Sequence, residues 1–77
     1  GELGGTLRML KNGDRSAAVR AVQRKLRALG FYHGWPDGIF GDGTQCAVDA
    51  ARKAYGLPPN GLVDWPLYMK LGLMPFE

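Results

Sequence analysis

The chain has 77 residues, 45% hydrophobic and 22% charged, with a formal charge of +3 and a pI near 9.4. This is the make-up of one small globular domain whose core is too slight to enclose a deep cavity. One cysteine, Cys46, excludes an internal disulfide framework and a cysteine-rich zinc site, and no apolar run reaches membrane-spanning length.

Residues 1–6 read as a glycine-rich linker, with Leu7, Met9 and Leu10 as an apolar lead-in and Lys11–Asp14 as a turn. Asp14 or Ser16 can cap the first helix, since either oxygen accepts from an orphan N–H of the first turn. Val19, Val22, Leu26 and Leu29 follow at spacings of three and four. At 100° per residue they fall within an arc of roughly 80°, the stripe of an amphipathic helix ended by Gly30. Arg20, Arg24 and Arg27 share the opposite face, as a solvated surface or an anion contact.

Residues 30–44 hold five glycines and one proline. Asp37-Gly38 and Asp42-Gly43 are turn dipeptides, because Asp bonds its own backbone two residues on and Gly accepts positive φ. The stretch reads as a pinned loop with Phe40 and Ile39 turned inward and Phe31, Tyr32, His33 and Trp35 as an aromatic rim. Any binding is expected here. Asp42 or Thr44 then caps a second helix running to about Tyr55, with Val48, Ala51 and Tyr55 inward and Asp49 paired to Lys53 on the surface. Cys46 falls away from the core arc, as an exposed thiol. Leu57–Gly61 is a second turn, made by two prolines and Asn60-Gly61. Asp64 caps a short third helix with Pro66 in its first turn, Leu67, Tyr68 and Leu71 within it and Gly72 at its end; residues 74–77 form a tail.

The two halves echo each other. Val19-x-x-Val22 matches Val48-x-x-Ala51, Leu29-Gly30-Phe31 matches Tyr55-Gly56-Leu57, and Asp37-Gly38-Ile39-Phe40 matches Asn60-Gly61-Leu62-Val63. Two copies are too few for a solenoid. The expected fold is all-α, a compact three-helix bundle with a pseudo-twofold internal repeat and glycine-rich connecting loops.

Val22-Gln23, Leu29-Gly30, Asp37-Gly38-x-Phe40-Gly41, Thr44 and Ala47-Val48, in this order and spacing, resemble the peptidoglycan-binding domain 1 family over residues 7–73. The resemblance implies a three-helix, non-catalytic module that targets an attached cell-wall hydrolase, such as a phage endolysin or bacterial autolysin or amidase, to peptidoglycan. It implies action outside the cell or at the cell wall, or on a host wall when phage-encoded. The sequence departs from the family pattern at Ser16, at Ala51-Arg52, at Asp64-Trp65-Pro66 and at Tyr68.

Residue chemistry offers no catalytic set. His33 is the sole histidine, and the aspartates read as caps, turns or surface. Zinc catalysis asks for about three protein ligands, which His33 and Cys46 do not supply from their separate places. Metal and cofactor are therefore not expected, and neither a membrane nor a nucleic acid is an expected partner. The expected ligand surface comprises Tyr32, His33, Trp35, Asp37, Gly38, Arg52, Asn60 and Trp65, in a monomer. Rings would pack on sugars or acetyl methyls, loop backbone would bond glycan or stem peptide, and Arg52 would hold a peptide carboxylate. The alternative is a basic helical module for protein or nucleic acid. It is disfavoured on the expectation that the aromatics lie away from the Arg20, Arg24 and Arg27 face.

Overall fold

A computed structural model describes residues 9–73. The expected linker at 1–6 and tail at 74–77, and Leu7 of the lead-in, lie outside the described residues. Three helices follow in order: α1 (Ala17–Ala28), α2 (Asp42–Ala54) and α3 (Trp65–Leu71). The α1 helix packs on both of the others. Its Val19, Val22 and Leu26 meet Ala47, Val48 and Ala51 of α2 and Leu67, Tyr68 and Leu71 of α3. Leu10, Phe40 and Val63 seal the core from the connecting segments. Small alanines on the inner face of α2 let its backbone sit close to α1.

The caps explain where each helix starts and stops. Ser16 is the N-cap of α1, its Oγ accepting from Val19 N at 3.3 Å. Asp14 serves the preceding turn instead, accepting from Lys11 N at 2.9 Å. Asp64 caps α3, accepting from Leu67 N at 3.3 Å, with Pro66 in the first turn. The α2 start differs from expectation. Gly41 is its N-cap with no side-chain bond, Asp42 is already helical, and Thr44 is buried in the core. Asp42 accepts from Asn12 Nδ2 instead, at 2.9 Å.

Each helix ends on the same pair of bonds. Gly30, Gly56 and Gly72 donate three residues back, to Arg27, Lys53 and Met69. The next residues, Phe31, Leu57 and Leu73, donate five back, to Leu26, Arg52 and Tyr68. These satisfy the orphan carbonyls and throw an apolar side chain back over the last turn. Leu29 therefore leaves the stripe: it is the C-cap of α1 and is exposed, while Phe31 packs on the core and meets Tyr55 edge to face at 6.2 Å.

Two isolated antiparallel bridges, Leu10–Val63 and Arg15–Ile39, tie the connecting segments together. Leu10 and Val63 exchange both backbone bonds at 3.0 Å. Extended backbone sends successive side chains to opposite sides. Phe40 is therefore buried while Ile39, expected inward, is 48% exposed.

The hydrogen bonds also correct the register of the repeat. Gln23 Oε1 accepts from Gly38 N at 2.8 Å, and Asp49 Oδ1 accepts from Gly61 N at 2.7 Å. Asp37 Oδ1 accepts from Ile39 N and Asn60 Oδ1 from Leu62 N, both at 3.0 Å. Gln23 thus corresponds to Asp49, Val22 to Val48, and Leu26 to Arg52. Val19 and Val22 do not pair with Val48 and Ala51. Asp49 is engaged with Gly61 and not with Lys53, the partner its helical spacing suggested, because a loop N–H fixed beside it outcompetes a flexible surface ammonium.

Candidate functional site

The centre of the loop after α1 is Gln23, fully buried on a helix otherwise apolar on that side. Its Nε2 shares two N–H groups among three acceptors, Asp37 Oδ1 at 3.1 Å, Ile39 O at 2.9 Å and Thr44 Oγ1 at 2.9 Å. With the bond from Gly38 N, one amide ties α1, the Asp37-Gly38 turn and the start of α2 together. Gly38 is required at φ +80°, and a Cβ there would lie 3.2 Å from Ser16 O. The Asp37 carboxyl is held below its ordinary value of 3.8, chiefly by the Ile39 N–H and then by Gln23.

Behind this anchored turn the loop presents Trp35. Tyr32 crosses Gly34, where a Cβ would come within 2.9 Å of Tyr32 Oη, and donates to Trp35 O at 3.2 Å. Pro36 restricts the backbone on the other side. The indole remains 73% exposed. The Arg27 guanidinium carbon lies 4.5 Å from its ring centroid, a cation–π contact. An open groove results, lined by Arg20, Arg24, Arg27, Ala28, Trp35 and Pro36. A second depression continues from Arg20 past Arg15 and Ser16 to Asp37, Gly38 and Ile39. Among the described residues the salt bridges are Lys11–Asp14 and Arg52–Asp64, so Arg20, Arg24 and Arg27 line the groove with no carboxylate partner there.

Of the expected ligand residues, Trp35 lines the groove, Asp37 and Gly38 line the depression that continues from it, and Tyr32 bonds the Trp35 carbonyl. His33 is exposed and does not line the groove. Asn60 lies on the second turn, its side-chain oxygen bonded to Leu62 N. Trp65 opens α3, about half exposed. Neither Asn60 nor Trp65 lines the Trp35 groove.

Arg52 requires a correction. It is 2% exposed, and its guanidinium donates to Pro58 O, to Leu62 O at 2.9 Å and to Asp64 Oδ1 at 2.8 Å. Burial pushes the Asp64 carboxyl up, but the bonds from Arg52 and Leu67 N outweigh it and leave the group below 3.8. Arg52 occupies the core position that Leu26 fills in the first copy, so its charge stitches the second turn to α3 from inside the fold.

Sequence reasoning missed two features. The arginine row was visible, but its meeting with Trp35 depends on the loop folding back along α1 after Gly30. The expectation that aromatics and arginines lie apart is thereby overturned. Gln23 had a signal of its own: a polar residue beside Val22 and between Val19 and Leu26 must be satisfied if buried.

Among the described residues no three His, Cys, Asp or Glu side chains cluster as metal ligands, and no helix is long and apolar enough to cross a membrane. Cys46 is exposed.

Comparison with known proteins places this geometry. Residues 15–68 match the family model described as "Putative peptidoglycan binding domain". The spore cortex-lytic enzyme of Bacillus cereus is 37% identical over 54 residues, covering 70% of this chain and 21% of that protein. The chain thus spans about a fifth of the length of that curated relative. The localization factor PodJL of Caulobacter vibrioides is 39% identical over 49 residues, 64% of this chain and 5% of that protein. Among solved structures, the SleB N-terminal domain superposes with a TM-score of 0.84 at 31% identity, covering 87% of this chain and 92% of that one. A Burkholderia AP3 phage endolysin gives 0.78 at 34% identity, covering 83% and 24%. The three-helix fold, the anchored Asp37-Gly38 turn and the match across most of the described residues agree: the chain belongs to the peptidoglycan-binding domain family.

Proposed function

We propose that the chain is a non-catalytic module that binds bacterial peptidoglycan and holds an attached lytic domain against the wall, acting at the cell wall or on a host wall from a phage enzyme. Family membership supports the substrate. The short share of the cortex-lytic enzyme, of PodJL and of the endolysin that the chain covers supports a role inside larger proteins, and the cortex-lytic and endolysin relatives support the hydrolase partner. The observation that carries the local reading is Trp35, a rigidly presented and solvent-exposed indole on a turn that Gln23 locks from inside the core. A ring fixed before binding loses little entropy on contact with a sugar face or an acetyl methyl. The groove is lined by guanidinium groups, indole and proline, a set suited to binding.

The test is co-sedimentation with purified sacculi at low and at physiological salt, for the wild type and Trp35→Ala. Wild type should pellet at both salts, with Trp35→Ala losing most binding at unchanged melting temperature. Failure to pellet at low salt, or unchanged binding by a folded Trp35→Ala chain, would overturn the reading. Binding that collapses steeply with salt would instead mark polyanion binding through counterion release.

A further inference from the structure

The internal repeat supplies a control for the arginine groove. Both copies build the same turn on the same bonds, Gln23 and Asp37 around Gly38 in one, Asp49 and Asn60 around Gly61 in the other. In that register Arg20, Arg24 and Arg27 correspond to Cys46, Ala50 and Lys53, and Trp35 corresponds to Pro58. The second copy folds without the arginine row and without the indole. The row is therefore not a requirement of the scaffold. Three like charges at i, i+4 and i+7 on an exposed helix face repel one another, which is tolerable for folding, and an anion brought to them relieves the repulsion.

Resting on the peptidoglycan reading, we infer that this groove recognises the free carboxylates of the wall's stem peptide, and that the peptide arm outweighs the glycan in binding. The Arg27 guanidinium carbon sits over the Trp35 ring at 4.5 Å, and a guanidinium N–H edge suits two-pronged bonding to a carboxylate. Arg20 and Arg24 follow along the same groove, so a peptide with carboxylates at successive residues meets more than one cation. The exposed part of the indole and Pro36 offer an apolar wall for alanine methyls. A glycan strand whose lactyl carboxyls are all amide-bonded to peptide is neutral and uses none of the charge.

The experiment is calorimetric titration of the 77-residue chain with three probes: a disaccharide–tetrapeptide fragment with free carboxylates, the same fragment with its carboxylates amidated, and N-acetylglucosamine oligosaccharides, a glycan that carries no carboxylate. The free-carboxylate fragment should bind at least about tenfold more tightly than the amidated one, as expected for loss of a charge-assisted bond. Arg24→Gln and Arg27→Gln should each lose a similar factor and Lys53→Gln, at the corresponding site of the other copy, none. Arg27→Lys should fail to rescue, since it keeps the charge but not the fork. Equal binding of free and amidated fragments, tighter binding of glycan, or equal losses at Lys53 would overturn the inference. Sacculus binding retained alongside any of those results leaves the wall-binding reading standing; absence of sacculus binding removes both.

Discussion

Arg52→Ala separates a ligand contact from a folding contact. From sequence, Arg52 is a cation on a helix near a turn, and its loss would be blamed on weakened wall binding. In the structure its side chain is 3% exposed and its guanidinium serves Pro58 O, Leu62 O and Asp64 Oδ1, while the Asp64 side chain is 22% exposed. Removing one partner of a buried pair costs about 3–5 kcal/mol. Asp64 regains some water, so about 3 kcal/mol is the working figure, with two carbonyls left short of a donor. A chain of this size is stable by roughly 4–12 kcal/mol in all. At about 4–8 °C per kcal/mol, the melting temperature should fall by about 12–24 °C. Far-UV circular dichroism against temperature and urea measures this directly. Sacculus binding, assayed where the spectrum shows the variant folded, should match wild type. Arg52→Leu with Asp64→Ser should recover part of the loss, since Leu mimics Leu26 and Ser keeps an N-cap oxygen. A melting temperature within about 2 °C of wild type, together with lost binding, would refute the assignment of Arg52 to the fold.

Other outcomes follow from the same bonds. Gln23→Ala deprives Gly38 N of its acceptor and Ile39 O and Thr44 of a donor, and opens a cavity. It should destabilise by about 3 kcal/mol or more and reduce wall binding by loosening the turn under Trp35. A urea midpoint equal to wild type would contradict this. Asp37 and Asp64 both titrate below their unfolded value of 3.8 when folded. Their contribution is therefore present above about pH 4 and is lost as pH falls through the folded values. The melting temperature should drop on acidification below about pH 4, and Asp64→Asn should flatten that dependence, whereas an unchanged slope in Asp64→Asn would count against it.

Much of this protein is legible residue by residue. The helix stripe of Val19, Val22 and Leu26, the Asp64 cap with Pro66, the glycines that end each helix and the Asp37-Gly38 and Asn60-Gly61 turns are local features. They rest on spacing, side-chain length and positive φ, which act within a few residues of one another. The resemblance carried by Val22-Gln23, Leu29-Gly30 and Asp37-Gly38-x-Phe40-Gly41 was legible for the same reason. The register of the repeat, the burial of Arg52 at the Leu26 position, the outward turn of Ile39 and the meeting of Arg27 with Trp35 were not. Each depends on where a segment returns after a turn. That return is decided by which distant group claims a buried donor or acceptor: Gln23 for Gly38, Asp49 for Gly61, Arg52 for Asp64. Side-chain type and spacing determine the elements of this domain. The requirement that every buried polar atom find a partner determines how they close on one another, and with that closure which arginines line the open groove and which one holds the core.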